Sequence, residues 1–500
     1  MSLQEFEKEA QLSKSEYMMF LKHPAWLWLK KHDKNKLPAP DDNLQAIFDE
    51  GLEFENYAEK RFPKGVRLGF NNYDEYISLP KRTEDLWKKG TKTVFQGRFE
   101  EGNITCICDV IDRISESEID LYEIKSSTKV KPEHYPDLAF QVLVLESCGF
   151  VVRNISVIHV NGKYVRTGQV DPMALSAVTD ITNKVRGKIE ETEKNIDLAI
   201  KIINSREMPD SSPRYTNLGA LSEWMEIYKN LGNTVDPYSI YNIIAIGAED
   251  IGELEDLEIT LIKDIPDNFE LTAKQRVQVT ATKSGERNIK KEKIKDFLNE
   301  LTYPLYFLDY ETAMSIVPPY DGTSPYQQIP FQYSLHILEE PGGELKHTEY
   351  LHKDNSHPVP KLLEKLTKDI CPTGSIIVWY KKFEMARNEE MALMFPKHKD
   401  FLEDVNSRIV DLMEPFAQGF FADKDFFGSA SIKNVLPILV PELSYKNLNI
   451  QEGASAQRLW TDAVVKNKTG INKEKLFFNL IEYCKLDTLA MVEIWKVLNV

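Results

Sequence analysis

Apolar and polar residues alternate in two separate stretches of the chain, and a spacing of two is typical of strands with one buried face. The first stretch covers residues 93–160, where four short apolar runs predict strands and the run "YPDLAFQVLVLESCGF" predicts a helix between them. In the second stretch the pattern predicts strands near 305–312, 331–338, 346–352 and 375–380, and helices near 359–370, 383–395 and 476–498. Strands and helices mixed in both stretches indicate an α/β fold class.

The remaining segments have helical spacing. Residues 13–35 are expected to form two helices separated at His23-Pro24, because a proline disfavours helical backbone in the residue before it. The spacing also predicts an amphipathic helix over 43–62, a long helix over 170–205 and several short helices over 218–300.

The chain divides at a segment with the Pro, Ser and Gly content of a linker, "NSREMPDSSPRYTNLG". We therefore predict a first α/β domain over residues 1–205, a helical connector over 206–298 and a second α/β domain over 299–500. The connector stretch "YNIIAIGAEDIGELEDLEITLIKDIP" has a faint helix-hairpin-helix spacing, and a plain helical connector is the alternative interpretation.

Composition is that of a globular protein, with 42% hydrophobic and 28% charged residues in a chain of 500. No window approaches the roughly 18 consecutive apolar residues of a membrane helix. Residues 1–17 are too polar and acidic for a secretory signal or a transit peptide. Five cysteines provide no disulfide framework, which fits a reducing compartment. We therefore expect a cytoplasmic protein without a membrane partner.

The chain is acidic, with 62 basic and 78 acidic residues and a formal net charge of −16. This charge argues against a protein that coats nucleic acid non-specifically. It is compatible with a nuclease, because metal sites are built from carboxylates and a local basic groove can exist on an acidic protein. The acidic residues inside apolar segments are therefore the candidates for chemistry.

The strand "DLYEIKSS" carries Glu123 and Lys125 two residues apart, and hence on one face. Taken alone, such a pair is most often an exposed ion pair on an edge strand, which contributes little stability. However, Asp109 lies within the apolar strand "ITCICDVIDRI", and antiparallel pairing of the two strands would bring it beside Glu123. Two carboxylates at that distance repel each other, and a divalent cation removes the repulsion.

Two helical residues extend this set, since Gln141 lies in the otherwise apolar segment "AFQVLVL" and Glu55 lies in an earlier helix. In this arrangement Asp109 and Glu123 would hold Mg²⁺. Lys125 would position and polarise the attacking water, and Gln141 would steady Lys125 or the phosphate. The metal would lower the pKa of the water and screen the phosphate charge, so that hydrolysis of a nucleic-acid backbone becomes feasible near neutral pH.

Residues 10–170 resemble the RecB-type branch of the PD-(D/E)xK nuclease superfamily, which includes CRISPR-associated adaptation nucleases. The resemblance implies a restriction-endonuclease-like fold and cleavage of nucleic acid that depends on Mg²⁺ or Mn²⁺. The matching positions are Gly51 and Glu55 for the first motif, Asp109 for the second, Glu123 and Lys125 for the third, and Gln141 for the last.

The chain departs from this family at two motif positions. Many relatives have His at the position of Glu55, and a Tyr where this chain has Leu145. Relatives that carry an iron–sulfur cluster bind it with cysteines that flank the nuclease core, and this chain has His23 where a Cys-Pro would be expected. We therefore expect no iron–sulfur cluster, with a site on four of the five cysteines as the alternative.

A second set of acidic residues lies in the second α/β domain. The strand "YFLDYETAMS" places Asp309 and Glu311 on one face, although a strand that leaves the sheet into solvent would show the same spacing. Near the C-terminus, Tyr483 and Asp487 lie four residues apart on one face of a predicted helix. Between them, "SIIVWYKKFEMARNEEMALMF" predicts a strand and then a helix that begins near Phe383 and Glu384.

This order of motifs resembles the DEDD exonucleases of the RNase-H-like superfamily, which include the DnaQ proofreading type. The resemblance implies that Tyr483 orients a water and that four carboxylates hold two Mg²⁺ or Mn²⁺ ions. Those carboxylates are Asp309, Glu311, Glu384 and Asp487. The family's second motif usually ends in Phe-Asp where this chain has Glu384, and Lys382 stands near its usual Asn. Asp411 in "RIVDLMEPF" is the alternative fourth ligand.

Together the two halves resemble one bacterial family, which fuses a RecB-type nuclease to an RNase-H-like exonuclease domain similar to YprB. The resemblance implies an enzyme with two separate metal-dependent nuclease sites, with nucleic acid as its partner and DNA favoured over RNA. Repair or anti-phage defence is the implied role. The alternative is a nucleic-acid binding scaffold in which one or both folds are inactive, which Glu384 leaves open for the second domain.

Overall fold

The computed structural model describes residues 11–233 and 235–499, so the first ten residues of the polar opening stretch lie outside it. The described residues form two compact units, the first from 11–233 and 316–325 and the second from 235–315 and 326–499. Each unit combines a sheet with helices, which confirms the predicted mixed α/β class. Among the described residues, no helix is both long enough and apolar enough to cross a membrane.

The first unit contains a seven-stranded sheet in the order β2-β3-β4-β5-β6-β7, with β1 paired to β4. Its strands are β1 (Leu12–Ser13), β2 (Val66–Arg67), β3 (Thr93–Glu101), β4 (Ile104–Arg113), β5 (Glu118–Lys125), β6 (Val151–Val160) and β7 (Ser176–Asp180). β4 and β5 pair antiparallel, as predicted, whereas β5 and β6 run parallel. β5 is therefore an interior strand and not an edge strand.

Helices cover this sheet and supply much of its core. They are α1 (Lys14–Lys22), α2 (Pro24–His32), α3 (Asp42–Ala58), α4 (Tyr73–Lys88), α5 (His134–Ser147), α6 (Pro172–Leu175), α7 (Thr182–Arg186), α8 (Ile189–Asn204) and α9 (Leu221–Asn230). The predicted break at His23-Pro24 is confirmed, because α1 ends one residue before His23. α5 is buried along most of its length, and its Leu138 and Phe140 belong to the main core of the unit.

The long helix predicted over 170–205 is wrong in its first half. The chain forms α6, then the strand β7 and the short helix α7, before α8 begins at Ile189. β7 pairs antiparallel with β6, with Val178 opposite Ile158. Val178 and Thr179 are β-branched and suit a strand, so pairing at the sheet edge outweighs the helical spacing of the surrounding residues.

A short segment from later in the chain completes the first unit. Residues 316–325 connect two strands of the second unit, yet they belong to the first. The guanidinium of Arg166 donates hydrogen bonds to the carbonyl oxygens of Pro318 at 2.9 Å and Pro319 at 2.7 Å. The backbone N–H of Arg166 donates to the carbonyl of Thr323 at 3.0 Å. The first unit is therefore built from two separate pieces of the chain.

The second unit contains a five-stranded sheet in the order β11-β10-β9-β12-β13 and a separate pair, β8 with β14. The strands are β8 (Asn288–Ile289), β9 (Leu305–Ala313), β10 (Ile329–Leu338), β11 (Leu345–Leu351), β12 (Ser375–Val378), β13 (Ile409–Asp411) and β14 (Phe421–Ala422). β9, β10 and β11 form an antiparallel meander, whereas β12 and β13 run parallel to β9. The strands predicted for this half are confirmed.

Helices pack on both faces of the five-stranded sheet. They include α10 (Ala248–Asp256), α11 (Ala273–Ser284), α12 (Lys291–Asn299), α13 (Val359–Asp369), α14 (Lys381–Met394), α15 (Lys399–Ser407), α16 (Glu414–Ala417), α17 (Ile432–Leu439), α18 (Gly453–Trp460) and α19 (Lys473–Leu498). One core joins Phe307 of β9 to α17, α18 and α19, and another joins Leu308 to α13, α14 and α15. Alternation along β9 therefore turns Asp309 and Glu311 toward the α19 side.

Candidate functional site

In the first unit, the strand pair Glu123 and Lys125 forms a buried contact. Lys125 Nζ lies 2.8 Å from Glu123 Oε1, and the Glu123 side chain is only 2% exposed. A second ammonium group, Lys14 Nζ from the first turn of α1, lies 2.9 Å from the same oxygen. The interpretation as an exposed edge-strand ion pair is therefore wrong, because the carboxylate is buried between two cations on an interior strand.

Helix α5 contributes two polar side chains to this cluster. Gln141 Nε2 donates to Glu123 Oε2 at 2.8 Å and to Asp137 Oδ1 at 3.3 Å. Asp137 Oδ2 lies 2.7 Å from Lys125 Nζ. The other amide atom, Gln141 Oε1, is buried and has no hydrogen-bond partner among the described residues. The structure thus brings Gln141 into direct contact with Glu123 and connects it to Lys125 through Asp137.

Asp109 lies at the position across β4 and β5 that the antiparallel register predicts. The register pairs Val110 with Tyr122, so that Asp109 is next in line opposite Glu123. Asp109 Oδ2 accepts a hydrogen bond from the backbone N–H of Ile124 at 2.8 Å. No lysine or arginine within the described residues forms an ion pair with Asp109.

Glu55 is connected to Asp109 through the side-chain amide of Gln96. Gln96 Nε2 donates to Glu55 Oε1 at 2.7 Å and to Asp109 Oδ1 at 3.1 Å. Gln96 has a left-handed backbone with φ of 56°, which is uncommon for a residue with a side chain. Glu55 also pairs with Arg67, whose Nη2 lies 2.9 Å from Oε1. The five predicted residues of the first site therefore form two hydrogen-bonded groups, one with Glu55 and Asp109 and the other with Glu123, Lys125 and Gln141. The hydrogen bond from the backbone N–H of Ile124 to Asp109 joins the two groups.

The carboxylates of the first site have opposite pKa shifts. Burial raises the pKa of Asp109, and repulsion by Glu123 raises it further, to about 7. Burial alone would also raise the pKa of Glu123, but attraction by Lys125 and Lys14 and the hydrogen bond from Gln141 hold it well below its usual range. Glu123 is therefore charged at neutral pH, whereas Asp109 is partly protonated.

His23, at the position expected for a cluster cysteine, is part of the apolar packing. Its ring stacks on Trp224 with centroids 3.6 Å apart, and Nε2 lies 3.0 Å from the carbonyl oxygen of Ser212. Burial lowers the pKa of His23 to about 4. Cys106 and Cys108 are buried as free thiols with sulfur atoms 3.5 Å apart. The expected absence of an iron–sulfur cluster stays a prediction.

In the second unit, Asp309 and Glu311 project side by side from β9 toward α19. Together with Cys484 of α19 they offer three ligand atoms within 4.8 Å of one another. Cys484 Sγ lies 3.7 Å from Asp309 Oδ2. The alternative of a strand that leaves the sheet is wrong, because β9 continues to Ala313 and Glu311 is only 9% exposed.

The helix α19 also brings in Tyr483 and Asp487, both of which are buried. Asp487 Oδ1 accepts a hydrogen bond from the hydroxyl of Tyr445 at 2.6 Å. The rings of Tyr445 and Tyr483 lie 6.1 Å apart between centroids. Lys433 Nζ lies 5.7 Å from the first ring and 5.8 Å from the second, and it donates to the carbonyl of Gln451 at 2.8 Å. A cation therefore lies over the aromatic pair that flanks the carboxylates.

Glu384 is fully enclosed near the first turn of α14. It is only 1% exposed, and its Oε2 has no hydrogen-bond partner among the described residues. Burial raises its pKa well above the usual value, and repulsion from Asp309 adds to this shift. Glu384 thus has a buried carboxylate oxygen without a partner among the described residues, and its pKa responds to the charges of Asp309 and Glu311.

Asp411 has a different environment from Glu384. Its two oxygens accept hydrogen bonds from three backbone N–H groups, those of Tyr380 and Lys381 at 3.0 Å and that of Met413 at 3.1 Å. These bonds fix the turn between β12 and α14. The carboxylate of Asp411 is therefore already occupied by the backbone.

The four carboxylates of the second site all have raised pKa values. Burial raises the pKa of Asp309 well above its usual value, and repulsion by Asp487 adds to it. Burial and repulsion by Asp309 do the same to Glu311. Burial raises the pKa of Asp487 to about 7, although the hydrogen bond from Tyr445 and attraction by Lys433 oppose the shift. Without a bound cation, the surroundings of these four carboxylates therefore disfavour their charged forms.

Sequence reasoning missed several residues of both sites. At the first site these are Lys14, Gln96 and Asp137; at the second they are Lys433, Tyr445 and Cys484. Asp137 could have been found, because it lies four residues before Gln141 on the same helix face. Cys484 lies directly beside Tyr483 in the predicted motif. The others come from distant segments, and no spacing in the sequence connects them to the site.

A part of the chain that lies mostly in the second unit matches a known protein family. Residues 306–431 match the family described as "Domain of unknown function (DUF2779)". The matched region begins in β9 and ends before α17, so that it contains Asp309, Glu311, Glu384 and Asp411 but not Asp487. It covers about a quarter of the chain.

Two curated mycoplasma proteins are similar to the chain over part of its length. The "Uncharacterized protein MG366" of Mycoplasma genitalium is 28% identical over 225 residues, which cover 40% of this chain and 33% of that protein. The "Uncharacterized protein MG366 homolog" of Mycoplasma pneumoniae is 25% identical over 219 residues, with the same coverage of 40% and 33%. The matched region of the chain thus spans about a third of the length of these relatives.

Proposed function

We propose that the chain is a metal-dependent nuclease with two separate sites that hydrolyse phosphodiester bonds of nucleic acid, with DNA favoured over RNA. The observation that carries this proposal is the second-unit cluster of Asp309, Glu311, Glu384 and Asp487. Asp309 and Glu311 lie with Cys484 within 4.8 Å of one another, and repulsion between charges couples Asp487 and Glu384 to Asp309. All four carboxylates have raised pKa values, and Oε2 of Glu384 has no hydrogen-bond partner among the described residues. Burying so much like charge costs stability unless a cation compensates it.

The side chains of this cluster fit a hard divalent cation. Carboxylate oxygens are the ligands that Mg²⁺ and Mn²⁺ prefer, and the unpartnered Oε2 of Glu384 offers one more. We assign Asp309, Glu311, Glu384 and Asp487 as the metal ligands. Asp411 is not proposed, because three backbone N–H groups already occupy its oxygens.

The strand order also supports an RNase-H-like fold for the second unit. An antiparallel meander of three strands, extended by two parallel strands beside the first of them and flanked by helices, agrees with the mixed sheet flanked by helices that the resemblance to DEDD exonucleases implies. The first two ligands lie on β9, the central strand of this sheet. For the first unit we propose a restriction-endonuclease-like fold, supported by the E-x-K pair on an interior strand and by Gln141 on the adjacent helix.

At the first site Asp109 and Glu123 are the proposed metal ligands. Burial and repulsion by Glu123 raise the pKa of Asp109 although Lys14 and Lys125 attract it, and a metal ion between the two carboxylates would remove that repulsion. A bound divalent ion would supply an activated water and screen the phosphate. Lys125 is held by Glu123 and Asp137 with its ammonium group at the cluster, where it would orient the nucleophile. Gln141 fixes the Glu123 carboxylate by donating to Oε2.

At the second site the aromatic pair and Lys433 would bind the substrate. Burial raises the pKa of Tyr483 far above its usual value, so its hydroxyl keeps its proton and would donate a hydrogen bond to a water or a phosphate oxygen. Lys433 is exposed over both tyrosine rings and would attract the phosphate backbone. The second site would thus combine carboxylates that bind the metal with a neighbouring lysine, Lys433, that attracts the substrate.

One observation favours the alternative of a nucleic-acid binding scaffold with an inactive first site. Oε1 of Glu123 is already in contact with both Lys14 and Lys125, at 2.9 and 2.8 Å. A metal ion would have to compete with these two ammonium groups for that oxygen. Cleavage by a protein in which the second site is disabled would contradict this alternative.

The test is a cleavage assay on labelled single- and double-stranded DNA and RNA, each with and without a free end. We expect products with Mg²⁺ or Mn²⁺ and none in chelator. Lys125→Ala and Asp487→Asn, alone and combined, should remove different subsets of products. Full activity after metal removal would contradict the mechanism at both sites. A role in repair or anti-phage defence follows from the resemblance alone.

A further inference from the structure

A second feature of the second unit lies beside the carboxylate cluster and is not used by it. A cavity of about 740 Å³ opens at the carboxyl ends of β12 and β13. This volume is within the usual range for ligand-binding pockets. Its lining includes Lys274 of α11, Lys381 and Lys382 of α14, and the exposed Tyr380. We propose that this cavity binds a single-stranded polynucleotide next to the second site, an inference that rests on the proposed nuclease function.

The position of the cavity follows from the register of the sheet. β12 runs parallel to β9 with Ile377 beside Phe307, so Asp309 and Tyr380 both lie just beyond that pair along their strands. On the other side of β12, Val378 pairs with Asp411 of β13. The cavity and the carboxylate cluster therefore share one end of the sheet. A strand of nucleic acid that lies across this end could contact both.

Charge in the cavity favours a polyanion. Lys274 and Lys382 form no ion pair with any part of the chain that the structure describes. Lys381 lies 3.9 Å from Glu414, at the outer limit of an ion pair. The remaining carboxylate, Asp411, is buried and is satisfied by backbone N–H groups. Two exposed ammonium groups therefore remain available to phosphates.

Tyr380 supplies an aromatic surface of the kind on which bases stack. Its side chain is 47% exposed, and its backbone is left-handed with φ of 80° and ψ of 72°. A tyrosine in this conformation is strained, and the strain persists only where neighbouring contacts hold it. Asp411 provides that hold by accepting from the N–H groups of Tyr380 and Lys381. The buried carboxylate thus fixes an exposed ring between lysines.

Together, these features match those of a binding site for single strands. Such sites combine cations that follow the backbone with aromatic rings that stack on bases, and both contacts tolerate any sequence. The apolar part of the lining, Val277 and Phe416, would surround the base edge that does not stack. The expected ligand is a polynucleotide without base pairing, either DNA or RNA.

The test measures binding in chelator, where no cleavage takes place. Fluorescence anisotropy with labelled oligo(dT) and oligo(rU) is recorded for the full chain across a range of salt concentrations. Tyr380→Gly removes the ring and keeps a residue that accepts positive φ, and we expect it to weaken binding by roughly tenfold, since stacking contributes ~1–3 kcal/mol per base. Comparing the affinities for oligo(dT) and oligo(rU) shows whether the cavity distinguishes DNA from RNA.

The lysines are tested through the salt dependence of binding. Lys274→Ser with Lys382→Ser should lower the slope of log K against log salt by roughly 1.4, about 0.7 for each phosphate contact with a single strand. Lys397→Ser, an exposed lysine elsewhere in the unit, is the matched control and should leave the slope unchanged. Thermal unfolding checks that each variant is folded.

Two outcomes would overturn the inference. One is the absence of binding by the unaltered protein, and the other is unchanged affinity and salt slope in both the Tyr380 and the lysine variants. Failure of the proposed nuclease function has a different signature, because the protein would then bind oligonucleotides through the cavity but produce no cleavage with added metal.

Discussion

The two carboxylate sites begin from the same pattern, an acidic residue and a second charged residue two positions apart on a buried strand, yet their electrostatics are opposite. Glu123 is buried between Lys14 and Lys125, which hold its pKa low. Glu311 is buried beside Asp309, and its pKa is raised. Burial penalises both carboxylates, and the neighbouring charges decide the direction of the net shift.

This difference implies that the sites depend differently on a ligand for stability. At the first site, the negative charge of Glu123 is compensated by the ammonium groups of Lys14 and Lys125, whereas Asp109 forms no ion pair among the described residues. The second holds four carboxylates, and Lys433 at their rim contacts a carbonyl and two aromatic rings but no carboxylate among the described residues. A cation should therefore matter for function at the first site and for both stability and function at the second.

The largest expected effect concerns Lys125, which contacts the Glu123 carboxylate at the first site. Lys125→Ala should slow cleavage at that site by ~10²–10⁴-fold, the usual contribution of a positioned catalytic group. The rate is measured in an Asp487→Asn background, so that the second site is silent. Lys129→Ala, an exposed lysine in the following loop, is the control. An unchanged rate in Lys125→Ala would remove the catalytic distinction between the sites.

The next effect is a pair of substitutions with opposite signs. Glu123→Gln should destabilise the metal-free protein by about 3 kcal/mol, because it leaves Lys14 and Lys125 with less compensation in a buried site. Glu384→Gln should stabilise it by about 1 kcal/mol, because the raised pKa of Glu384 means that burying this carboxylate costs stability at neutral pH, and the amide has no such cost. Denaturant unfolding measures both. Glu389→Gln, exposed on the same helix, should change little. Equal signs for the first two would contradict the comparison.

Metal addition should raise the free energy of unfolding mainly through the second site. At a metal concentration 100 times the dissociation constant, linkage predicts about 2.7 kcal/mol for one site. The double variant Asp309→Asn with Glu311→Gln should lose this response, whereas Glu123→Gln should keep most of it. A response that survives in the double variant would place the stabilising ion elsewhere.

The last effect is a dependence of stability on pH, which has opposite directions for Asp487 of the second site and Glu123 of the first. Asp487 has a pKa raised from 3.8 to about 7, so the folded state binds more protons than the unfolded state between these values. Lowering the pH from 7 to 5 in chelator should therefore stabilise the protein by about 2 kcal/mol through this group. Asp487→Asn should lose that gain.

Glu123 should behave in the opposite way, because its folded pKa is lowered from 4.5. Its contribution to stability is present above the unfolded pKa and is lost only as the pH falls below about 4.5. Asp109, with a pKa of about 7, should resemble Asp487 although it lies in the first site. Similar pH dependences of stability in Asp109→Asn and Asp487→Asn would therefore show that the environment of each carboxylate, and not the unit it belongs to, sets the direction of its pKa shift.

Spacing along the sequence predicted the strands and most of the helices, because alternation and helical periodicity report burial directly. It also predicted that Glu123 and Lys125 would share one face of the strand and that Asp109 would lie opposite Glu123, since both follow from strand geometry. The error over 170–205 arose where pairing at a sheet edge, a tertiary contact, outweighed local spacing. Helix periodicity predicted that Tyr483 and Asp487 would lie on one face of a helix, and both are buried in α19.

The electrostatic character of each site could not be predicted in the same way. Lys14 reaches Glu123 from a helix 109 residues earlier in the chain, and Tyr445 reaches Asp487 across 42 residues. Such contacts depend on how distant elements pack, which no local pattern contains. The opposite pKa shifts of Glu123 and Glu311 therefore became visible only in three dimensions.

The segment 316–325 has a consequence for how the protein is made on the ribosome. The first unit cannot acquire its last piece, including the carbonyl groups that Arg166 binds, until more than 320 residues have been synthesised. By then β9, with Asp309 and Glu311, has already been translated. Completion of the unit that begins the chain thus waits for synthesis of the second to start. A gene fragment that stops at residue 298 encodes a first unit that lacks this segment.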